Sequence, residues 1–279
     1  MVPVRDGASS LGALLDSLDA QELERERYEV IVVDNASRDA TPDIAAARGA
    51  RVVHEPIPNR ARARNAGVAE ARADVIAFTD ADCIASPRWL AAMLECRGRA
   101  PLVAGAVRIQ TSADPNTVER FEAMSRFGQE AWVRQGWAAT ANLMVERNAF
   151  DAVGGLDPAY RHIGEDADFC LRAGRAGFAL DYCDAAVIFH VAEHEVGAVL
   201  RRAFFNGYSA AQVLRRVGRG HVAWRDPKPL LSPRAAVAFH GIRLDGIPSR
   251  ERRAYMALAS AAYTSRVAGS VWSTVRRAS

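Results

Sequence analysis

The stretch VIAFTDADC, residues 75 to 83, places two carboxylates directly after a run of residues with the character of a buried β-strand. Asp80 and Asp82 stand at positions i and i+2, so their side chains leave an extended backbone on the same side. Burying two like charges without a partner is costly. A divalent cation removes that cost, because Mg²⁺ and Mn²⁺ bind carboxylate oxygens and complete their shell with water and substrate phosphates. The stretch therefore predicts a metal-bound diphosphate, the alternative being a solvated acidic loop.

Strand-like and helix-like segments alternate over the first 80 residues. The strand-like segments are rich in β-branched residues and lie at 2–4, 28–37, 51–56 and 75–80. The helix-like segments show leucines at helical spacing, a proline in the first turn or a glycine at the stop, and lie at 9–21, 41–49 and 60–74. This alternation predicts an α/β fold with a Rossmann-like, mostly parallel central sheet flanked by helices. Ligands of such sheets bind beyond the carboxyl ends of the strands, where Asp34, Asn35 and the two aspartates are expected.

The alternation stops near residue 100, and the charge changes sign near residue 196. Residues 196–279 contain 15 Lys and Arg against three acidic side chains and carry +12, whereas residues 1–195 contain 21 against 30 and carry −9. We predict one domain at 1–195, with halves 1–100 and 101–195, and a basic, helical C-terminal extension at 196–279. The Pro-containing segment RDPKPLLSP at 225–233 is expected to interrupt the extension.

Composition indicates an ordinary globular protein, with 49% hydrophobic and 25% charged residues in 279. No window has the uninterrupted apolar length of a membrane span, and the first residues do not have the pattern of a signal peptide. The cysteines form no CxxC pair, which favours four reduced thiols in a cytoplasmic protein over disulfides or structural zinc: Cys83, Cys96, Cys170 and Cys183.

Several motifs follow one another in a specific order: PVRDG at 3–7, VVDNAS at 32–37, ARARNAG at 61–67, FTDADC at 78–83, and GGLD and GEDADFCLR between 154 and 172. This series resembles the family 2 glycosyltransferases, which have the GT-A fold. The likeness covers about residues 2–195. It implies a nucleotide-binding first half, an acceptor-binding second half, a nucleotide-sugar donor and a Mn²⁺ or Mg²⁺ cofactor.

One departure is that only Met1 and Val2 precede Pro3 where the family generally has a full first strand. That departure points to a misassigned start, a trimmed chain or a fold that compensates.

The resemblance assigns one group of positions to the donor nucleotide, namely Pro3, Val4, Arg5, Asp34, Arg64, Asn65 and Asp80. Asn35 stands where the family frequently has aspartate, so uridine is favoured as the base without being fixed. A guanidinium at 64 would pair with the diphosphate, while its alternative reading is a helix-surface arginine.

The metal site implied by the resemblance consists of Asp82 as the principal ligand, Asp80 and His190. Imidazole suits Mn²⁺ better than Mg²⁺. A histidine at a strand end is also often structural, and His194 competes for the role. The surrounding HVAEH is not a zinc-protease motif, because its glutamate is misplaced.

The acceptor side is implied by the ED motif. Asp166 matches the general base, which would deprotonate an acceptor hydroxyl attacking the anomeric carbon opposite the leaving group and invert its stereochemistry. Glu165, Asn142 and Gly155 match acceptor-binding positions, although Gly154 and Gly155 also suit a plain turn. Acidic residues in a first helical turn otherwise merely favour the helix N-terminus.

The basic extension lies outside the motifs. For 196–218 we favour a helix packed on the catalytic core over one lying on an anionic bilayer, and for 250–279 the membrane surface stays open. The protein is therefore expected in the cytoplasm, with peripheral contact at the inner face of the membrane left open. The expected acceptor is a glycan, a lipid carrier or a natural product, and no nucleic-acid partner is expected.

Other classes fit the sequence less well. A sugar-1-phosphate nucleotidyltransferase would need a Gly-rich phosphate loop with Lys or Arg after the first strand, and VPVRDGASS supplies none. A phosphotransferase with a nucleophilic DxD would carry that motif on the first strand, not the fourth. A non-catalytic nucleotide-sugar or membrane-surface binding module would fit if a base were absent, but Asp166 is present.

Overall fold

The computed structural model describes residues 1–125, 127–217, 232–245 and 247–275. Residues 225–231 of the predicted interruption and the last four residues of the extension lie outside the described residues. The described ranges contain eight strands: β1 Val2–Val4, β2 Ile31–Asp34, β3 Arg51–His54, β4 Val75–Thr79, β5 Cys83–Ala85, β6 Leu102–Gln110, β7 Asn142–Glu146 and β8 Leu180–Val191.

Eleven α-helices lie in the described part of the chain. They are α1 Leu11–Asp19, α2 Thr41–Ala47, α3 Arg60–Glu70, α4 Trp89–Cys96, α5 Thr117–Met124, α6 Gln129–Val133, α7 Arg147–Ala152, α8 Glu165–Arg175, α9 Val196–Val217, α10 Pro233–Phe239 and α11 Ser249–Val275. Short 3₁₀ helices occupy Arg25–Arg27 and Arg97–Arg99.

The first sheet is parallel, in the order β1-β2-β3. Met1 continues the parallel pattern into β4, because its backbone nitrogen donates to Ala77 O at 2.8 Å and its carbonyl accepts from Thr79 N at 3.2 Å. The strands β4-β7-β6-β8-β5 form the other sheet, in which the β4–β7, β6–β7 and β5–β8 pairs are antiparallel. The predicted α/β fold is confirmed, and the antiparallel pairs are a feature that strand patterns alone do not specify.

Helices cover both faces of the parallel sheet, as predicted. Val2, Val4 and Val32 pack in one core cluster with α1 and α4, while Ile31 and Val33 pack with Ala63 of α3 on the other face. Successive strand residues point to opposite faces, so a continuous apolar run is what a strand covered on both sides requires.

A disulfide joins Cys96 at the end of α4 to Cys183 in β8, across 87 positions of sequence. The expectation of four reduced thiols is therefore wrong for these two residues. Cys83 and Cys170 are free and buried. No short spacing indicated the pair, because α4 and β8 meet only in the folded chain.

The described residues fall into two compact units, one made of 1–108 and 128–190 and the other of 109–127 and 191–279. In the second unit α9 packs along α11, and the approach is very close at two glycines. A Cβ at Gly207 would lie 1.7 Å from Arg266 O, and one at Gly269 would lie 1.9 Å from Phe204 O. No helix in the described ranges is apolar over enough residues to cross a bilayer.

Candidate active site

Arg64 joins the end of β4 to the start of α8. Its guanidinium donates from Nη2 to Asp80 Oδ1 at 2.7 Å and from Nη1 to Glu165 Oε1 at 2.7 Å. The Arg64 side chain is only 3% exposed. Burial alone would raise the pKa of Asp80, but the charge of Arg64, helped by other nearby cations, holds it below its ordinary value. The guanidinium predicted to pair with diphosphate is therefore engaged by two carboxylates in this structure.

Glu165 opens α8 directly after Gly164, whose φ of 107° is in the region that favours glycine. The Glu165 side chain is 4% exposed, and its Oε2 is a buried atom without a hydrogen-bond partner among the described residues. A buried carboxylate oxygen that accepts no hydrogen bond is costly, so it is suited to receive one from a ligand. This supports the predicted contact with an acceptor hydroxyl.

Asp166 is half-buried in the first turn of α8, and the backbone N–H of Ala167 donates to its Oδ1 at 2.8 Å. Burial, and then the neighbouring charge of Glu165, raise the pKa of Asp166 to about 7. A carboxylate that titrates near neutral pH is matched to accepting and returning a proton.

Asp82, Cys83 and His190 form the group of potential metal ligands that the described residues bring together, with one donor atom of each lying within 4.8 Å of the others. His190 Nε2 lies 3.5 Å from Asp82 Oδ2. Cys83 and His190 are directly paired across β5 and β8, so they share one face of the sheet. The carboxylate and the imidazole suit the predicted Mn²⁺, whereas a thiol is a soft donor that Mg²⁺ does not favour. The competing His194 lies in the second unit, with its side chain 72% exposed.

The carboxyl end of β2 carries two residues with different tasks. Asp34 accepts from Ser37 N at 3.2 Å and lies 3.3 Å from His54 Nδ1. Asn35 is 5% exposed and uses its whole amide inside the protein. Its Nδ2 donates to Glu55 O at 3.0 Å and Ile57 O at 2.8 Å, while its Oδ1 accepts from Asn59 N at 2.8 Å. Aspartate could not donate to those two carbonyls, which explains asparagine at this position.

Asn59 and Asn65 fasten α3 to the loop that precedes α8. Asn59 caps the helix by accepting from Arg62 N, and it donates to the carbonyls of Pro158 and Tyr160. Asn65 donates to Leu156 O at 2.8 Å and accepts from Leu156 N at 3.0 Å. Both Asn65 amide atoms are thus engaged with protein backbone beside the candidate site.

The Gly-Gly turn is fixed by α8 as well as by α3. Arg172 donates to Val153 O at 2.5 Å and Gly155 O at 2.8 Å, and it forms a 2.7 Å ion pair with Asp168. Gly154 and Gly155 have φ of 73° and 68°. The turn role considered from the sequence is therefore present at both glycines.

Asn142 is not brought to the site. It is 0% exposed, accepts from Trp89 Nε1 at 2.8 Å, and donates to the carbonyls of Ala106 and Ala186. With its amide fully used in the core, it has no group to offer an acceptor, and its observed contacts are structural.

Pro3 and Val4 lie on β1, where the Val4 carbonyl accepts from Asn35 N at 2.8 Å. Arg5 follows the strand, with its side chain 44% exposed. These residues occupy the sheet edge expected for the nucleotide, next to β2.

Among the residues in these contacts that the sequence did not assign to the site are Asn59, Asp168 and Arg172. Asn59 had a usable signal, because asparagine directly before a helix-forming run is a typical N-cap. The ion pair of the other two at i and i+4 could have been predicted, but its carbonyl partners could not.

Comparison with known proteins agrees with this arrangement. Residues 1–156 match the sequence model of Glycosyl transferase family 2, and residues 100–240 match that of Glycosyl transferase family group 2. The chain is 32% identical over 232 residues to a pre-mycofactocin glycosyltransferase of Mycobacterium tuberculosis, an alignment that covers 77% of this chain and 47% of that protein. It is 26% identical over 223 residues to glycosyltransferase AglE of Haloferax volcanii, covering 76% and 72%. The aligned part is thus about half the length of the mycobacterial relative.

Solved structures share the fold at low identity. Mannosyltransferase PcManGT from Pyrobaculum calidifontis, in complex with GDP-Man and Mn²⁺, superimposes with a TM-score of 0.66 at 18% identity, covering 99% of this chain and 86% of that one. Residues 1–349 of S. aureus TarS in complex with UDP-GlcNAc give a TM-score of 0.54 at 13% identity, covering 99% and 90%. These likenesses show a GT-A fold. Because the family's sequence model matches more than half of the chain, the chain belongs to the family 2 glycosyltransferases.

Proposed function

We propose that this protein is an inverting glycosyltransferase that moves a sugar from a nucleoside diphosphate to an acceptor hydroxyl. The observation that carries the proposal is the position of Asp166, a carboxylate with a pKa raised to about 7, next to a glutamate held by the same arginine that binds Asp80. One buried cation thereby holds Asp80, on the side proposed for the diphosphate, and Glu165, the neighbour of the proposed proton acceptor.

The residues would act in a single displacement. Asp166 would accept the proton of the acceptor hydroxyl at a carboxylate oxygen while Glu165 Oε2 accepts a hydrogen bond from the acceptor. The acceptor oxygen forms a bond to the anomeric carbon as the bond to the diphosphate oxygen breaks, and the nucleoside diphosphate leaves. Asp82 and His190 would hold a divalent cation, which when bound offsets the negative charge of that leaving group.

The nucleotide base is proposed to lie against the end of β2, near Asp34. A UDP-sugar is favoured as the donor on the family resemblance. Neighbouring folds were solved with GDP-Man and with UDP-GlcNAc, so the donor panel must include both bases. The acceptor is proposed to be a glycan, a lipid carrier or a natural product. The domain division at 196 and peripheral membrane contact stay predictions.

The experiment is a transfer assay with UDP- and GDP-sugars for wild type, Asp166→Asn and Asp82→Ala. We expect Asp166→Asn to lose transfer while still binding nucleotide. In Asp82→Ala we expect the transfer rate no longer to depend on added metal. Retained transfer by Asp166→Asn would remove this residue as the base. Retention of anomeric configuration in the product would contradict the single displacement.

A further inference from the structure

The candidate metal corner, formed by Asp82, Cys83 and His190, contains a sulfur donor that an all-oxygen Mg²⁺ site would not need. Cys83 follows Asp82 directly and is 1% exposed. Its Sγ lies 4.0 Å from Asp82 Oδ1, and both residues share the cluster with His190. Cys83 is also the strand partner of His190, so the two side chains leave neighbouring strands on the same side.

Sulfur changes which ion such a corner selects. Mg²⁺ prefers oxygen ligands in near-ideal octahedral geometry, whereas thiolate and imidazole together favour Zn²⁺, Co²⁺ and related softer ions. We propose that Asp82, Cys83 and His190 form a mixed oxygen, sulfur and nitrogen site that binds Zn²⁺ or Co²⁺ in preference to Mg²⁺. The inference rests on the proposed function for its place beside the diphosphate, and on the observed cluster for its ligand set.

The binding step is balanced without a redox partner. A coordinate bond forms between Cys83 Sγ and the metal, and the thiol proton leaves to solvent. Zn²⁺ or Co²⁺ binding is therefore expected to release a proton that Mg²⁺ binding does not release.

The chain provides a matched control for the sulfur. Cys170 is the other free, buried cysteine, and it is not part of the cluster. The disulfide between Cys96 and Cys183 removes the two remaining sulfurs as thiolate donors. Any thiolate signal that survives in Cys170→Ser but disappears in Cys83→Ser belongs to Cys83.

The test titrates the purified full chain with Co²⁺ without nucleotide, for wild type, Cys83→Ser, Cys83→Ala and Cys170→Ser. We expect a thiolate-to-cobalt charge-transfer band that saturates at one metal per chain in wild type and Cys170→Ser, that Zn²⁺ abolishes, and that both Cys83 variants lack. Far-ultraviolet circular dichroism and thermal melts show whether the Cys83 variants fold. Asp82→Asn, at a side chain 52% exposed, gives a second check if they do not, because it should weaken Co²⁺ binding in a folded protein.

Absence of the band in wild type, an undiminished band in folded Cys83→Ser, or unchanged Co²⁺ affinity in Asp82→Asn would overturn the inference. Metal-dependent transfer without a charge-transfer band would overturn this ligand set and leave the proposed function standing. A Cys83-dependent band in a protein without transfer activity would support this ligand set and contradict the proposed function.

Discussion

Arg64 and Glu165 are 101 positions apart in the chain, yet their side chains form a 2.7 Å hydrogen-bonded ion pair and are 3% and 4% exposed. The same guanidinium also binds Asp80. A carboxylate that follows β4 and one that opens α8 are thus neutralised by one buried cation. Removing that cation leaves uncompensated charge in the interior.

Arg64→Met is therefore expected to destabilise the protein by about 3 to 5 kcal/mol, the usual cost of breaking a buried ion pair from one side. Arg62→Met is the control, because Arg62 is exposed on the same helix. Chemical denaturation measures both. Equal stability of the two variants would show that Arg64 does not hold the carboxylates in solution.

The raised pKa of Asp166 predicts opposite effects of pH on activity and stability. A base at Asp166 would act in its charged form, so kcat/KM is expected to rise with pH and level off above about 7. The pKa of Asp166 is raised from 3.8 in the native state, so between these values the native state keeps a proton that the unfolded state loses. The contribution of Asp166 to the free energy of unfolding therefore falls as pH rises from about 4 to about 7.

Asp166→Asn tests both effects in one variant. It should abolish transfer at every pH and raise the melting temperature at neutral pH relative to wild type. A variant that melts lower than wild type at pH 7.5, with no effect on the rate, would contradict the assignment.

Asn35→Asp is expected to destabilise the protein by about 2 kcal/mol or more, because two buried carbonyls lose their donor and face a carboxylate. Asp34→Asn is the companion change. The Asp34 side chain accepts a hydrogen bond from Ser37 N, and it is Asn35 rather than Asp34 whose side chain binds the 55–59 loop. We expect Asn35→Asp to act mainly on unfolding and Asp34→Asn mainly on nucleotide affinity, measured by denaturation and calorimetry. If Asn35→Asp instead lowered nucleotide affinity and Asp34→Asn lowered stability, Asn35 would be the nucleotide contact and Asp34 the structural residue.

Gly154 and Gly155 offer a matched pair for the turn. Both have positive φ, but a Cβ at Gly154 meets nothing within 4 Å, whereas one at Gly155 would lie 2.9 Å from Asn65 Oδ1. Gly154→Ala should cost about 1 to 2 kcal/mol from backbone strain alone, and Gly155→Ala should cost more. Comparable losses in unfolding experiments would mean that the Asn65 contact relaxes freely.

The disulfide predicts two thiols rather than four in the unreduced, denatured protein. Opening a loop of 87 residues should cost about 4.6 kcal/mol on the chain-entropy account. Cys96→Ser should show this loss in denaturation, and Cys170→Ser serves as the control for replacing a buried cysteine. Four titratable thiols without reductant would refute the cross-link.

The sequence was sufficient for features with a local signal. The alternation up to VIAFTD, the helix opened by Glu165 and the aspartates after β4 each follow from residues close in the chain. The roles of Asn35 and Asn142 did not follow, because each is set by carbonyls that only the folded chain brings near. The Cys96–Cys183 bond was missed for the same reason, since its partners share no motif.

Because Cys83 is paired with His190 across β5 and β8, the register of these strands would determine which donor atoms the proposed metal site offers. Because side chains alternate between the faces of a strand, a slip of β8 by one residue would turn the imidazole to the opposite side. A slip by two would keep the face but carry the ring about 7 Å along the strand. Insertions between Cys183 and His190 should therefore be tolerated poorly even where they leave the hydrophobic core filled, and a design that grafts this corner elsewhere must transfer both strands together.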